Sequence, residues 1–111
     1  MPRRIERVQE LIQREASSIL HETFSPKDSI VTVTRVSVAQ DLSTTKVFLS
    51  IYPFDRAKQI LADLERVVPQ IQSELNKRLF MKHVPRLIFR VDEVEKEAAE
   101  TEKALRLLDT E

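Results

Sequence analysis

The residues best suited to chemistry in this sequence are lysines and arginines concentrated in its middle. Residues 56–90 contain eight basic and three acidic residues, whereas residues 91–111 contain three basic and eight acidic ones. The 111-residue chain has 18 residues of each sign and no net charge, so this balance conceals an uneven distribution. A basic segment of this kind favours an anionic partner, and ordinary solvated surface is the alternative explanation.

The sequence gives little support for a catalytic site or a metal-binding site. The two histidines, His21 and His83, are 62 positions apart, and there is no cysteine to provide a thiolate, a disulfide or a zinc ligand. The absence of glycine excludes glycine-rich phosphate loops, and no serine stands in a recognisable catalytic context. We therefore predict a protein that is not an enzyme and uses no metal or cofactor. No apolar run reaches the length of a membrane span, so we expect a cytoplasmic protein.

Part of the basic segment is predicted to lie on a helix that follows a break. Pro69 has no N–H group and disfavours helical angles at the residue before it, so the preceding helix should stop or kink near Val67. After Pro69, apolar residues recur every four positions, at Ile71, Leu75 and Leu79, as on a helix with one face in a core. The polar residues fall on two neighbouring faces, one with Gln70, Ser73 and Lys77 and the other with Arg78 and Lys82.

The rest of the basic segment is predicted to be a strand. Pro85 ends the helical pattern, and the apolar residues Leu87 and Phe89 then alternate with Arg86 and Arg90. A helix and the strand after it would thus both present basic side chains.

The remaining elements are predicted from periodicity and turn chemistry. Residues 3–24 keep the spacing of an amphipathic helix, and residues 30–39 and 45–52 are predicted strands joined by a loop. Residues 56–67 are a second amphipathic helix, with Asp55 as its expected N-cap. The order α-β-β-α-α-β predicts an α+β fold in which helices cover one face of a three-stranded sheet.

The two predicted strands contain an irregularity and two aromatic residues. The apolar alternation of the first strand slips phase, which predicts a β-bulge near Thr34 and Arg35, although burial on both faces would also explain it. Phe48 and Tyr52 could stack on nucleic-acid bases, but packing under a helix is the favoured interpretation.

Three stretches match a known family in order and spacing. They are RIERVQELIQREASSIL, IVTVTRVSVAQDLSTTKVFLSIYP and IQSELNKRLFMKHVPRLIFRVDE. The hairpin pattern is met at Val33, Thr34, Val36, Val38, Asp41, Leu42, Val47 and Phe48, and the final pattern at Val84, Pro85, Leu87, Phe89 and Asp92. In these features the sequence resembles the ribosome-binding factor A family of bacterial small-subunit maturation factors.

The resemblance implies a KH-like fold of the second type, without the Gly-x-x-Gly loop of ordinary KH domains. The family has an interhelical kink, usually Ala-x-Gly, which aligns here with Val67, Val68 and Pro69, so proline replaces the glycine. Gln72 stands where the family often has arginine. We expect a KH-like RNA-binding domain over residues 1–92 and an acidic, helical C-terminal tail over residues 93–111.

The resemblance also implies binding to the small (30S) ribosomal subunit and its 16S rRNA during late maturation, with assistance to processing of the rRNA 5′ end and a role in cold adaptation. We expect a monomer that contacts RNA phosphates through a basic and polar set of residues. These are Arg66, Gln70, Ser73, Lys77, Arg78, Lys82, Arg86 and Arg90, with Arg3, Arg4 and Arg7 at the start of the first helix. An ion pair with Glu74 is the alternative role for Arg78. The alternative function is a KH-like domain retuned for protein–protein interaction without RNA binding.

Overall fold

The computed structural model describes residues 2–94, with side chains from residue 4 onward. The predicted tail lies outside the described residues from position 95 to position 111, as does the side chain of Arg3. The elements are α1 (Pro2–Thr23), β1 (Ile30–Val38), β2 (Thr44–Tyr52), a 3₁₀ helix (Phe54–Arg56), α2 (Ala57–Glu65), α3 (Val68–Arg78) and β3 (Arg86–Val91). The predicted order α-β-β-α-α-β is confirmed.

The three strands form one sheet in the order β1-β2-β3. β1 and β2 are antiparallel, and β2 and β3 are parallel. The pairing shifts from Val33 opposite Leu49 to Arg35 opposite Phe48, so Thr34 is the extra residue of a β-bulge. This confirms the predicted bulge and explains the phase slip, because one extra residue keeps the apolar residues before it, such as Val33, and after it, such as Val36, on the same buried face.

The helices cover one face of the sheet and bury the predicted apolar stripes against it. Ile12 and Ile19 of α1, Leu64 of α2 and Leu75 of α3 are at most 1% exposed, as is Phe89 of β3. The other face of the sheet carries the alternate residues of each strand, which are exposed or half-buried. Within residues 2–94, the sheet therefore has one face covered by helices and one open face.

The break between α2 and α3 lies where proline chemistry places it. α2 ends at Glu65, Val67 has φ −106° and ψ 3°, and α3 begins at Val68 with Pro69 in its first turn. The Val67 N–H donates to the Leu64 carbonyl at 2.9 Å, which closes α2 with a tight turn. Pro69 is tolerated there because an N–H in the first turn has no partner within the helix.

Three sequence-based expectations are wrong in detail. Asp55 is not a helix N-cap, because it lies within the 3₁₀ turn and α2 begins two residues later without a side-chain cap. Lys82 is not on α3, because Leu79 is extended and ends the helix at Arg78. Phe48 and Tyr52 do not pack under any of the helices α1, α2 and α3, since both lie on the opposite face of the sheet.

The turns of this glycine-free chain use other residues in the left-handed region. Asp28 has φ 57° before β1, and Leu42 has φ 62° in the loop between β1 and β2. Asp is one of the residue types that tolerates this conformation, whereas leucine is disfavoured in it. Leu42 is partly buried and packs against the core, which holds the loop in place.

Candidate nucleic-acid interface

The outward side of α3 presents the first group of predicted binding residues. Gln70, Ser73 and Lys77 are exposed, while Ile71 and Leu75 on the opposite side are fully buried. Arg66, just before the break, is also exposed. The break therefore joins two exposed polar surfaces without interrupting the buried stripe.

Gln72, on the side of α3, forms hydrogen bonds with the backbone at the start of β3. Its side-chain oxygen accepts a hydrogen bond from the Leu87 N–H at 2.8 Å, and its side-chain nitrogen donates to the Pro85 carbonyl at 3.1 Å. Gln72 thus satisfies two backbone groups at the start of edge strand β3, as a neighbouring strand would.

Arg78 is held by carboxylates from two helices. We call Arg78 and these carboxylates the Arg78 cluster. Its guanidinium donates to Glu22 at 2.8 Å and to Glu15 at 3.4 Å, both on α1, and to Glu74 on α3 at 3.2 Å. It also donates to the Ser18 hydroxyl at 3.3 Å. The side chain is 25% exposed. Arg78 therefore joins α1 to α3. It also forms the ion pair with Glu74 that the sequence spacing suggested.

The electrostatics of the Arg78 cluster agree with this structural role. The hydrogen bond from Arg78, followed by one from Ser18, lowers the pKa of the Glu22 carboxyl. The same bond to Glu22 is the largest cause that raises the pKa of Arg78. Each partner therefore stabilises the charged form of the other.

A cleft brings Arg4 of α1 close to Lys82. It has a volume of about 660 Å³ and is bounded by the start of α1, the loop between β1 and β2, and the connection from α3 to β3. Phe80 on that connection is fully exposed, and His83 also lines the cleft. Cations beside an exposed aromatic ring can hold a phosphate and stack a base.

The loop between β1 and β2 places one carboxylate in the same cleft. Asp41 accepts hydrogen bonds from the hydroxyl of Ser43 at 2.6 Å and from its N–H at 3.0 Å. These bonds favour the ionised carboxylate and so lower the pKa of Asp41. The cleft therefore offers an acceptor as well as cations, a combination suited to the amino groups of a base.

Arg86 and Arg90 lie away from these groups. Both are exposed, but they alternate with the buried residues Leu87 and Phe89 and so belong to the open sheet face. The predicted set is thus divided between the helix side of the molecule and the sheet side. Arg4 and Arg7 are exposed on α1, and Lys82 is exposed on the connection.

Sequence reasoning did not identify Phe80 or Arg35 as site residues. Phe80 follows Leu79 directly, and only the end of α3 at Arg78 shows that it leaves the helix. The Arg35 guanidinium lies 3.8 Å from the centre of the Phe48 ring, a cation–π contact across two strands. The predicted bulge was the one feature of the sequence that could have indicated Arg35, because a bulge changes the direction of the side chains beside it.

Within residues 2–94, no helix has both the length and the apolar composition of a membrane span. Within the same residues, no three His, Cys, Asp or Glu side chains are grouped so that they could hold a metal ion.

Comparison with known proteins agrees with this architecture. The profile of the family described as "Ribosome-binding factor A" matches residues 4–105. Ribosome-binding factor A of Brevibacillus brevis is 36% identical over 110 residues, which cover 97% of this chain and 91% of the relative.

A crystal structure and a fitted homology model resemble this structure. The crystal structure of ribosome-binding factor A from Thermus thermophilus has a TM-score of 0.70 at 21% identity and covers 78% of this chain and 93% of its own. A homology model of the Thermus thermophilus factor, fitted into the cryo-EM map of its 30S complex, has a TM-score of 0.62 at 23% identity and covers 74% and 88%. By its profile match and its identity to relatives over most of its length, the chain belongs to the ribosome-binding factor A family.

Proposed function

We propose that this protein is a cytoplasmic, non-enzymatic assembly factor that binds the small ribosomal subunit and its 16S rRNA during late maturation and assists processing of the rRNA 5′ end. The observation that carries the proposal is family membership over nearly the whole chain. The Thermus thermophilus relative, which has the same fold, has been fitted into a map of its 30S complex.

The helix-side surface is our candidate for the main rRNA contact. We define it as Arg66, Gln70, Ser73 and Lys77 together with Arg4, Arg7 and Lys82. Among residues 4–94, none of the five arginines and lysines of this surface forms an ion pair with a carboxylate. Cations without such partners can bind phosphates without first breaking an intramolecular pair.

Arg78 is left out of the helix-side surface. A charge reversal there would place a fourth carboxylate among Glu15, Glu22 and Glu74. Such a variant would report on the packing of α1 against α3, because like charges at this distance repel. The kink at Val67, Val68 and Pro69 is proposed to set the angle between α2 and α3, and so the shape of the surface.

Co-sedimentation with ribosomal subunits tests the proposal. The wild-type protein should pellet with immature small subunits and not with large subunits. The double reversal Lys77→Glu with Lys82→Glu should bind at least about tenfold more weakly, because two phosphate contacts are replaced by repulsion. The matched control is Lys27→Glu with Lys58→Glu, which makes the same change of charge at exposed lysines outside the surface and should bind like the wild type.

The outcomes separate the function from the surface. Absence of wild-type binding to small subunits would overturn the proposed function. Full binding by a double variant whose circular dichroism and thermal unfolding match the wild type would leave the function standing and refute the helix-side surface.

A further inference from the structure

The open sheet face differs in charge from the rest of the molecule. Every second residue of β1, β2 and β3 points to this face, and these residues include Arg35, Lys46, Arg86 and Arg90. None of the outward residues of the three described strands is acidic, although the whole chain has no net charge. A surface of one sign in a neutral protein attracts a partner of the opposite sign.

The register of the strands places an aromatic ring at the centre of this charge. Phe48 lies opposite Arg35 of β1 on one side and opposite Arg90 of β3 on the other. Lys46 and Tyr52 lie on the same strand as Phe48, two and four residues away, and so on the same face. Tyr52 is 60% exposed. The face therefore combines cations with two aromatic side chains.

Arg35 is held over the Phe48 ring by Asp92, the residue that follows β3. The Arg35 Nε donates to Asp92 at 3.4 Å, and Asp92 is only 3% exposed. Asp92 also accepts a hydrogen bond from Thr34, the bulged residue, at 2.6 Å. About half of the Arg35 side chain, 52%, remains exposed. The guanidinium is thus held beside the ring and is still accessible to a ligand.

We propose that the open sheet face binds single-stranded RNA, in addition to the helix-side surface. Unpaired bases would stack on the Arg35–Phe48 pair and on Tyr52, while Lys46, Arg86 and Arg90 contact phosphates. Phe48 and Tyr52 are four residues apart on one strand, about 13 Å, so they would hold bases spread apart and not stacked as in a duplex. This inference rests on the proposed function only in taking RNA as the ligand.

The intrinsic fluorescence of the protein tests the proposal directly. Tyr52 is the single tyrosine and the chain has no tryptophan, so emission reports on this face alone. The full chain is titrated with an oligouridine of about 12 nucleotides, a length within the range of known single-strand sites. We expect a saturable loss of tyrosine emission, and none with an RNA duplex of equal length. Free N-acetyltyrosinamide in the same titration corrects for absorption by the RNA.

Two variants test the stacking with a fluorescein-labelled oligouridine and anisotropy. Phe48→Leu with Tyr52→Leu keeps every charge and should weaken binding about tenfold or more, because both aromatic platforms are lost. Arg35→Lys keeps the charge but removes the planar group, and should weaken binding in a protein with an unchanged sheet. Lys27→Ser with Lys58→Ser is the control and should bind like the wild type.

The results separate this site from the proposed function. If oligouridine binds without a change in tyrosine emission, or does not bind while small subunits still do, the sheet site is refuted and the function stands. If a synthetic peptide of residues 95–111 changes the tyrosine emission and oligouridine does not, the sheet face binds the acidic tail and the RNA proposal is refuted. If neither RNA nor small subunits bind, both proposals fail.

Discussion

Ion pairs within the protein make Arg78 unavailable for a contact with RNA. Its charge suits an RNA contact, but its guanidinium donates to Glu15 and Glu22 on α1 and to Glu74 on its own helix. An arginine fork can serve several acceptors at once because its donors have fixed directions. The cluster therefore joins α1 to α3 and leaves Lys77, one residue earlier, exposed.

The Arg78 cluster predicts a pH-dependent contribution to stability. The pKa of Glu22 is lowered in the folded protein from an ordinary value of 4.5. A carboxylate of this kind stabilises the fold fully above its unfolded pKa and loses that effect as the pH falls through the lower, folded value. Arg78→Met should therefore lower the thermal midpoint relative to the wild type at neutral pH, and the difference should shrink below about pH 4.5.

Thermal unfolding followed by circular dichroism from neutral pH to about pH 3 measures this difference. Arg14→Met is the matched control, because Arg14 is 73% exposed and its contact with Glu15 is long, at 3.7 Å. Its thermal midpoint should stay close to that of the wild type. A difference between Arg78→Met and wild type that is the same at both ends of the pH range would contradict the assignment.

At the scale of elements, α3 both carries polar groups and completes the sheet. Its Ile71 and Leu75 are buried in the core, and its Gln72 bonds the backbone of β3 on the side away from β2. An edge strand otherwise leaves backbone groups without partners. The position of α3 therefore depends on one amide side chain as well as on its apolar stripe.

Replacing Gln72 should destabilise the fold more than replacing its exposed neighbour. Gln72→Met keeps the length of the side chain but leaves the Leu87 N–H and the Pro85 carbonyl without their partner. We expect a loss of about 1–3 kcal/mol in the free energy of unfolding, measured by urea denaturation. Gln70→Met on the same helix is exposed and should change it by less than about 0.5 kcal/mol. Equal effects of the two substitutions would show that the edge contact contributes nothing.

For the whole molecule, the fold places basic and acidic residues on different faces. β3 carries Arg86 and Arg90 outward, while acidic residues such as Glu15 and Glu22 lie on α1 at the helix side. The neutral chain thus has a sheet face without carboxylates among its described outward residues. Association with RNA at such a face should be governed by counterion release.

The salt dependence of oligouridine binding gives a quantitative test at this scale. The logarithm of the association constant should fall with the logarithm of salt concentration by roughly 0.7 for each neutralised phosphate of a single strand. Lys46→Ser with Arg90→Ser should therefore reduce the slope by about 1.4. The control Lys27→Ser with Lys58→Ser should leave the slope unchanged. A slope near zero for the wild type would contradict the proposed phosphate contacts of Lys46, Arg86 and Arg90.

The sequence alone determined the features that depend on near neighbours in the chain. Pro69 predicted the break between α2 and α3. The β-branched residues around Thr34 predicted a strand, and the phase slip in its apolar alternation predicted a bulge. The apolar stripe of Ile71, Leu75 and Leu79 predicted which side of α3 is buried. These features follow from backbone stereochemistry and side-chain period, which act within a few residues and so are readable from local order.

Only the tertiary structure decided which distant residues meet. Arg78 and Glu22 are 56 positions apart, and Arg35 and Asp92 are 57 apart. Periodicity placed Lys82 beside Arg78, but the chain leaves the helix between them, because it must turn back to begin β3 beside Thr44. Which face of the sheet holds Phe48 was likewise undetermined, since alternation defines two faces without saying which one the helices cover. That choice depends on how all the apolar stripes are buried together, and it makes the sheet face available for binding.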